Sequence, residues 1–263
     1  MFIKVPYLQI IRDLVKRRFI DFARRSDRLN TPMDTLIASL RVQHLLPKPF
    51  VALELFGMHG LWHTSDYASL CDYLEIYELN ETYARFASAR FKQATVVTAD
   101  CVLAVKSATL RMPKYTFIVV DNPLFGIFGR GYAEHFDFFP EIGNFIEEGV
   151  VVMNFIHRPM TRCSEGLLLR RTAFYGKPDP TWKEAARVYE RHFKSRGLAV
   201  VEEFLIPRTS ETAYLAFALA KAPAALQEPV RHGGRPERGG TLSRWAWAAV
   251  HDDRLGRLLV CAA

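Results

Sequence analysis

The sequence lacks any long hydrophobic run. Its 263 residues are 49% hydrophobic and 24% charged, with a mean hydropathy of −0.02. No apolar stretch approaches the roughly 18 to 20 residues that a membrane-spanning helix needs. Charges also interrupt the only apolar segment of the amino-terminal stretch MFIKVPYLQIIRDLVKRRF, so no secretory signal is predicted. We therefore expect a soluble protein with no membrane partner.

Cysteines are few, and they are far apart. The four of them are Cys71, Cys101, Cys163 and Cys261, with no C-x-x-C pair. This pattern indicates neither a disulfide framework nor a structural zinc site, and it fits a reduced, cytoplasmic compartment best. His59 and His63 are four residues apart, but they lack the intervening glutamate of a zinc protease. We expect no metal.

The net charge of +7 comes from the two ends of the chain. Residues 1–48 carry ten Lys/Arg against four Asp/Glu (+6), residues 49–221 carry nineteen against twenty (−1), and residues 222–263 carry six against four (+2). A near-neutral middle argues against a broad groove for nucleic acid there. The basic side chains near the amino terminus either form a local site for a polyanion or line a solvated helix face. They are Lys16, Arg17, Arg18, Arg24, Arg25 and Arg28.

The hydrophobic pattern predicts three parts: a basic helical extension over residues 1–48, a main domain over 49–221 and a Gly/Pro/Arg-rich tail over 222–263. The end of the tail either docks on the protein as a short helix or stays loosely attached. Helical spacing predicts helices over 7–23 and 34–45 in the extension. In the main domain, short apolar runs alternate with amphipathic stretches, as in a parallel sheet covered by helices. The strands are predicted over 50–55, 73–77, 94–98, 115–120 and 149–154, and the helices over 61–70, 81–92, 101–110, 136–147 and 181–196.

Two further apolar runs, 198–206 and 212–220, are joined by only five residues. Strands connected so briefly must pair antiparallel. The sequence therefore predicts a doubly wound, mostly parallel α/β sheet of seven strands, with a carboxyl-terminal hairpin.

In an open parallel sheet, ligands bind outside the carboxyl ends of the strands, so the residues after each strand are the candidate site. The first strand is followed by E-L-F-G-M-H-G, in which Glu54 precedes Gly57 and Gly60. Glu78 follows the second strand and suits the hydroxyls of a ribose. Asp100 follows the third strand, where accepting from an exocyclic amine and capping a helix are equally open.

The fourth strand is followed by Asp121-Asn122-Pro123-Leu124-Phe125 and then by a glycine-rich stretch. This series of residues, on five βα units with a terminal hairpin, resembles the class I S-adenosylmethionine-dependent methyltransferase family over about residues 48–221. The resemblance implies S-adenosylmethionine as cofactor. The resemblance implies that the cofactor is held by three groups of residues. The methionine part is assigned to Glu54, Phe56, Gly57 and Gly60, the ribose to Glu78 and Leu79, and the adenine to Asp100 and Cys101, with Asp121 nearby.

The segment Asn122-Pro123-Leu124-Phe125 is similar to the N-P-P-F loop of methyltransferases that act on amino groups. The resemblance implies that Asp121 and Asn122 act in catalysis and that Pro123 and Phe125 contact the substrate. Methyl transfer needs alignment of the reactants and removal of a proton from the acceptor. His135 and His157 lie after the fourth and fifth strands, where His135 is a candidate catalytic base and His157 a candidate substrate contact.

Several functions remain open. A small-molecule amine or hydroxyl is slightly favoured as acceptor because the main domain is neutral, and RNA or DNA is next because of the basic extension. Met58 and His59 replace the small residues usual between the glycines, and Leu124 replaces the second proline. These departures keep open a catalytically inactive partner subunit. A nicotinamide-dependent oxidoreductase is disfavoured by the missing G-x-G-x-x-G spacing and by the hairpin.

Overall fold

The structure, a computed structural model, describes residues 4–25, 31–121, 138–156, 165–209 and 212–223. Its centre is a seven-stranded sheet. The strands are β1 (Val51–Leu55), β2 (Tyr73–Glu78), β3 (Thr95–Thr98), β4 (Phe117–Val120), β5 (Gly149–Ile156), β6 (Leu198–Pro207) and β7 (Thr212–Lys221). Their order in the sheet is β3-β2-β1-β4-β5-β7-β6. Strands β1 to β5 run parallel to one another, and β7 runs antiparallel between β5 and β6. This arrangement confirms the predicted doubly wound α/β sheet with a terminal hairpin.

Helices cover both faces of the sheet, because alternate strand residues point to opposite sides. The helices are α1 (Lys4–Arg25), α2 (Pro32–Val42), α3 (Thr64–Tyr67), α4 (Glu81–Arg90), α5 (Cys101–Lys106), α6 (Phe139–Ile142), α7 (Glu165–Tyr175) and α8 (Trp182–Lys194). On β1, Leu53 and Leu55 face a core formed with α5, α6 and α8, whereas Ala52 faces a second core formed with α2. None of the helices in these described ranges is long and apolar enough to cross a membrane.

The second helix begins from a local sequence signal and is anchored in the core. Thr31 caps α2 in a capping box with Asp34, which satisfies the orphan amides of its first turn. Met33, Leu36 and Leu40 of α2 are buried in the second core. The predicted domain boundary at residue 48 stays a prediction.

Three predicted helices are shorter in the structure. The predicted helix 101–110 is α5, which ends at Lys106 because Ser107 is its C-cap and Ala108 has a positive φ of 52°. The predicted helix 61–70 is α3 followed by a 3₁₀ turn over Ala68–Leu70, because the carbonyls of Leu61 and Trp62 accept hydrogen bonds from Arg17. The predicted helix 136–147 is α6 followed by a 3₁₀ turn over Gly143–Phe145. Pro140 fits only the first turn of a helix, so α6 begins next to it.

Helix α7 was not predicted. Its sequence, EGLLLRRTAFY, has a weak helical pattern because Leu and Arg each occur in runs. Arg171 of this helix is fully buried, and it donates to the carbonyls of Ile156 and Pro178. A buried arginine makes a helix look polar on its inner face, which conceals its amphipathic character in the sequence.

Candidate functional site

The candidate site lies at the carboxyl ends of β1 and β4, where the strand order reverses. From β1 the chain moves outward through β2 to β3 and then returns to β4 on the other side of β1. Glu54, Glu78, Asp100 and Asp121 all lie at this edge, at or just after the ends of four adjacent strands. Ligands of open α/β sheets bind at such a reversal.

Glu54 is fully buried and bonded within the protein. Its Oε1 accepts from Nε2 of His63 at 2.7 Å and from the hydroxyl of Thr64 at 2.8 Å, and its Oε2 accepts a short hydrogen bond from Tyr67. All three donors lie on or beside α3. Glu54 therefore fixes α3 against β1, and its carboxylate lies below the surface. The assignment of Glu54 to a cofactor stays a prediction.

His63 joins the two strands at the reversal. Its Nε2 contacts Glu54 of β1, and its Nδ1 lies 3.0 Å from Oδ2 of Asp121, directly after β4. Burial alone would lower the pKa of His63, but the charges of Glu54 and Asp121 outweigh burial and raise it to about 10. His63 is therefore a buried imidazolium at neutral pH.

This pKa predicts a pH dependence of stability. The pKa of His63 rises from 6.5 in the unfolded chain to about 10 in the folded one. Its contribution is fully present below pH 6.5 and is lost as the pH rises through about 10, because the folded state then no longer binds the extra proton. We expect the free energy of unfolding, measured by urea titration, to fall across this window. The fall should be smaller in His63→Gln; an equal fall in both proteins would contradict the assignment.

Asp121 is fully buried and paired on both oxygens. Its Oδ1 accepts from Nη1 of Arg208 at 2.8 Å, and its Oδ2 accepts from the hydroxyl of Tyr214 at 3.0 Å. Burial would raise the pKa of Asp121, but Arg208 and His63 outweigh burial and hold it well below its usual range. A general base needs a pKa near the working pH. These contacts therefore suit Asp121 to orienting its neighbours rather than to accepting a proton.

Arg208, Tyr214 and Asn154 are part of this cluster and were not predicted. Arg208 follows β6, donates a short hydrogen bond to Oδ1 of Asn154 and lies 4.4 Å from the centroid of the Tyr214 ring. β7 runs antiparallel to β5, so the turn between β6 and β7 lies at the carboxyl edge of the parallel strands. Arg208 could have been recognised as a site residue from the sequence. It lies in the predicted turn between the last two strands, and their predicted antiparallel pairing places that turn at the carboxyl edge of the sheet.

The loop after β1 has an unusual backbone. Phe56, Met58 and Gly60 have positive φ values of 64°, 48° and 66°. Only glycine adopts this region without cost, and other residues lose roughly 1–2 kcal/mol each. Strained residues cluster at functional sites, and here two of them lie at the sheet edge beside Glu78. The amide of Met58 donates to Oε2 of Glu78 at 2.7 Å, which helps to hold the loop.

The two glycines of this loop are required by packing within the protein. A Cβ atom on Gly57 would lie 2.1 Å from Cγ2 of Ile76, and one on Gly60 would lie 2.3 Å from Cε2 of Phe91. The family resemblance assigned these glycines to the methionine part of the cofactor. On the sides where a Cβ would project, β2 and Phe91 already occupy the space.

Glu78 retains capacity for a ligand. Its Oε2 accepts from Met58, and its Oε1 accepts from the amide of Asn80 at 2.6 Å. Burial raises its pKa, although these amides oppose the shift. A carboxylate has about four lone-pair sites, so the amides of Met58, Asn80 and Leu79 leave room for a further donor. Leu79, beside it, is 56% exposed.

Asp100 caps α5, as one of the two interpretations of the sequence predicted. Its Oδ1 accepts from the amides of Val102 at 2.8 Å and Leu103 at 3.2 Å. Cys101 is buried, and burial, followed by the charge of Asp100, raises its pKa to about 12. The thiol is therefore neutral and is not a nucleophile.

Helix α1 packs on the loop after β1. Nε2 of His59 lies 2.8 Å from Oδ2 of Asp13, and both side chains are fully buried. Arg17 is also buried and pairs with Asp66 at 2.7 Å. Arg17 thus uses its charge inside the protein and does not contribute to an exposed basic face, whereas Arg18 is exposed.

The remaining predicted site residues lie outside the described residues. They are Asn122, Pro123, Phe125, His135 and His157, and Leu124 lies there as well. Within the residues that the structure describes, no group of three or more His, Cys, Asp or Glu side chains could hold a metal ion.

No protein-family model matches the sequence, and no curated protein matches it. Solved structures do resemble the fold. Magnesium protoporphyrin IX methyltransferase from Synechocystis, with bound S-adenosylmethionine, has a TM-score of 0.45 and 11% identity over 71% of this chain and 77% of that one.

Two further structures are similar in the same way. A TehB-like S-adenosylmethionine-dependent methyltransferase from Corynebacterium glutamicum has a TM-score of 0.46 and 14% identity over 80% of this chain and 98% of that one. The N-methyltransferase NodS from Bradyrhizobium japonicum has a TM-score of 0.45 and 14% identity over 73% and 99%. At these identities the likeness is confined to the fold, and it assigns no residue of this chain a role.

Proposed function

We propose that this chain is a class I S-adenosylmethionine-dependent methyltransferase, located in the cytoplasm, that methylates an amine or hydroxyl of a small molecule. The observation that carries the proposal is the carboxylate of Glu78, which lies next to the strand-order reversal and has acceptor sites that the protein does not use. Glu78 ends β2, and the capping carboxylate of Asp100 follows the adjacent strand β3. This is the placement that a nucleoside needs at the edge of an open sheet.

The described residues fit the nucleoside part of the cofactor. The oxygens of Glu78 accept the amides of Met58 and Asn80, and the amide of Leu79 also bonds to this carboxylate, which leaves acceptor capacity for a ribose hydroxyl. Leu79 offers an exposed apolar side chain beside it, and Asp100 is only partly buried. On the methionine side, Glu54 is occupied by His63, Thr64 and Tyr67. That contact therefore falls to the backbone of the loop after β1.

The cofactor, when bound, supplies an electrophilic methyl group on a sulfonium. The protein's task is then mainly to position the acceptor and to receive its proton. Asp121 is held on three sides by Arg208, Tyr214 and His63, so it keeps its charge and fixes the edge of β4. We assign the proton to His135 or His157, since a histidine titrates near neutrality.

The proposal predicts the behaviour of Glu78→Gln. The amide keeps one acceptor oxygen for the loop but loses the second acceptor and the charge. We expect the affinity for S-adenosylmethionine and for S-adenosylhomocysteine, measured by calorimetry, to fall about tenfold to a hundredfold, since a hydrogen bond to a charged group contributes roughly 1.5–3 kcal/mol. NAD serves as the competing ligand.

The matched control is Glu81→Gln, three residues further along the chain. The Glu81 side chain is 71% exposed and forms a salt bridge with Arg85 at 3.7 Å, so its replacement should leave binding unchanged. Equal affinities in Glu78→Gln and the original protein would remove the ribose assignment. Binding of NAD in place of S-adenosylmethionine would remove the cofactor assignment.

One observation favours a second function, that of a nucleoside-binding partner subunit without turnover. The charges of Glu54 and Asp121 are compensated inside the protein by His63 and Arg208. Binding of S-adenosylmethionine with no release of S-adenosylhomocysteine across a panel of amines, alcohols and RNA would support this function over the enzyme. If the acceptor is RNA, binding of RNA to the protein should weaken steeply as the salt concentration rises.

A further inference from the structure

The outer face of α1 exposes an unusual number of large hydrophobic side chains. Among the described residues nine large hydrophobic side chains are exposed, and four of them lie on this one helix. They are Tyr7 at 55%, Leu8 at 64%, Ile11 at 58% and Val15 at 66%, which we call the outer stripe. Scattered exposed hydrophobic residues need no explanation, but a concentration on one surface marks an interaction site.

The outer stripe is contiguous. Each residue advances an α-helix by about 100°, so the four side chains fall within an arc of roughly 100°. Arg12 and Lys16 follow on one flank of this arc, and Arg18 lies one turn beyond the stripe. All three are exposed, and between residues 7 and 18 the only acidic side chain, Asp13, is buried. The outer face of this segment is therefore apolar and basic, with no acidic group.

The opposite face of α1 is fixed to the protein. Asp13 pairs with His59, and Arg17 pairs with Asp66 and with the carbonyl of Trp62. Ile10 is buried between them, at 4% exposure. The outer stripe consequently faces away from the sheet, and no other described residue covers it.

We propose that the outer stripe of α1 binds a membrane surface that contains anionic lipids. A helix with an apolar arc and Lys/Arg beside it lies in the plane of the membrane, with its apolar side chains at the boundary of the acyl chains and its basic side chains among the headgroups. The stems of arginine and lysine can extend to the headgroups while the apolar residues insert. The charge of the flank is complementary to an anionic leaflet.

Other occupants agree less well with these side chains. Binding of nucleic acid would account for the basic flank but not for the four exposed apolar residues, because protein surfaces that bind nucleic acid are mainly polar and positively charged. A second copy placed stripe against stripe would bring like charges at Arg12 and Lys16 together, which disfavours association. The sequence predicted no membrane partner because no span is present. A helix that lies on the membrane surface does not need to be long enough to cross it. The polyanion predicted to contact the basic extension can therefore be an anionic lipid surface.

The test is co-sedimentation of the full chain with vesicles. One set contains phosphatidylcholine alone, and the other contains equal parts of phosphatidylcholine and phosphatidylglycerol. We expect roughly thirtyfold stronger binding to the anionic vesicles, because Lys16 and Arg18 near an anionic surface each strengthen binding about fivefold, whereas Arg12 is paired with Asp13 at 3.3 Å. High salt should weaken this binding.

Two variants and one control make the result specific to α1. Ile11→Asp/Val15→Asp should weaken binding to anionic vesicles about tenfold or more, because two charges replace the inserted side chains. Lys16→Gln/Arg18→Gln should weaken it to a similar extent and leave the apolar stripe intact. Leu169→Asp, on α7 with the same 64% exposure as Leu8, should bind like the original protein. Circular dichroism checks that each variant is folded.

Each other outcome overturns the proposal. Failure of the original protein to bind either vesicle would show that α1 does not contact lipid. Binding that both α1 variants retain would place the contact on another surface. A third outcome is that neither protein binds vesicles, the original protein is a dimer by light scattering, and Ile11→Asp/Val15→Asp is a monomer. The stripe would then be an interface between copies of this chain. These outcomes are independent of methyl transfer and of cofactor binding.

Discussion

Replacing His63 with glutamine is expected to lower the free energy of unfolding by about 3–5 kcal/mol, because the change leaves two buried carboxylates without their shared cation. His63 lies between Glu54 and Asp121, at 2.7 and 3.0 Å, and neither acid has exposed surface. Glutamine is neutral and carries both of its N–H donors on one nitrogen, whereas His63 uses a different ring nitrogen for each acid. The measurement is urea-induced unfolding near neutral pH.

A second substitution separates the charge effect from the loss of packing. Glu54→Gln removes one of the two charges, so the double variant Glu54→Gln/His63→Gln should lose less than the sum of the single variants. His192→Gln is the matched control, since this histidine of α8 stacks on Phe174. A loss below about 1 kcal/mol in His63→Gln would mean that Glu54 or Asp121 takes up a proton instead, and that His63 is not the essential cation.

Gly57→Ala is expected to destabilise the protein by about 3 kcal/mol, at the upper end of the usual range for an overpacked site. The new Cβ atom would lie 2.1 Å from Cγ2 of Ile76, a buried residue of β2 that cannot move without disturbing the sheet. The amide of Gly57 also donates to the carbonyl of Tyr77, which prevents the loop from moving away cheaply.

A double-mutant cycle identifies the clash. In the Ile76→Ala background the obstructing methyl group is absent, so Gly57→Ala should then cost far less. Gly166→Ala is the control, because a Cβ atom on Gly166 of α7 would have no neighbouring atom within 4 Å, and alanine there should stabilise the helix by roughly 0.5–1 kcal/mol. Equal costs of Gly57→Ala in both backgrounds would show that a ligand-facing or backbone constraint, not Ile76, requires the glycine.

The fold was predictable because its signals are local. The apolar runs at 50–55, 73–77, 115–120 and 149–154 coincide closely with β1, β2, β4 and β5, and the five-residue connection fixed the antiparallel pairing of β6 and β7. Helices over 61–70, 101–110 and 136–147 were predicted too long, and a long-range contact explains the first of them. Arg17, 44 residues before Leu61 in the chain, makes this contact.

The candidate site was predictable only in part. Strand ends mark where polar side chains gather, so Glu54, Glu78, Asp100 and Asp121 were correctly placed at one edge. Periodicity cannot tell whether such a carboxylate faces solvent or the interior. Glu54 and Asp121 are buried against His63 and Arg208, whereas Glu78 keeps unused lone pairs. The cofactor roles given to these residues remain predictions, to be tested by calorimetry.

The sequence by itself determined where the strands lie in the chain and which of them run parallel or antiparallel, since both follow from hydrophobic period and connection length, which are properties of neighbouring residues. Only the tertiary structure decided which charges meet. His63 pairs with Asp121 across 58 positions, and Asp13 pairs with His59 across 46, because distant segments pack at the same edge of the sheet. Burial removes the water that would otherwise screen such pairs. Their protonation therefore depends on packing, and no local pattern in the sequence specifies it.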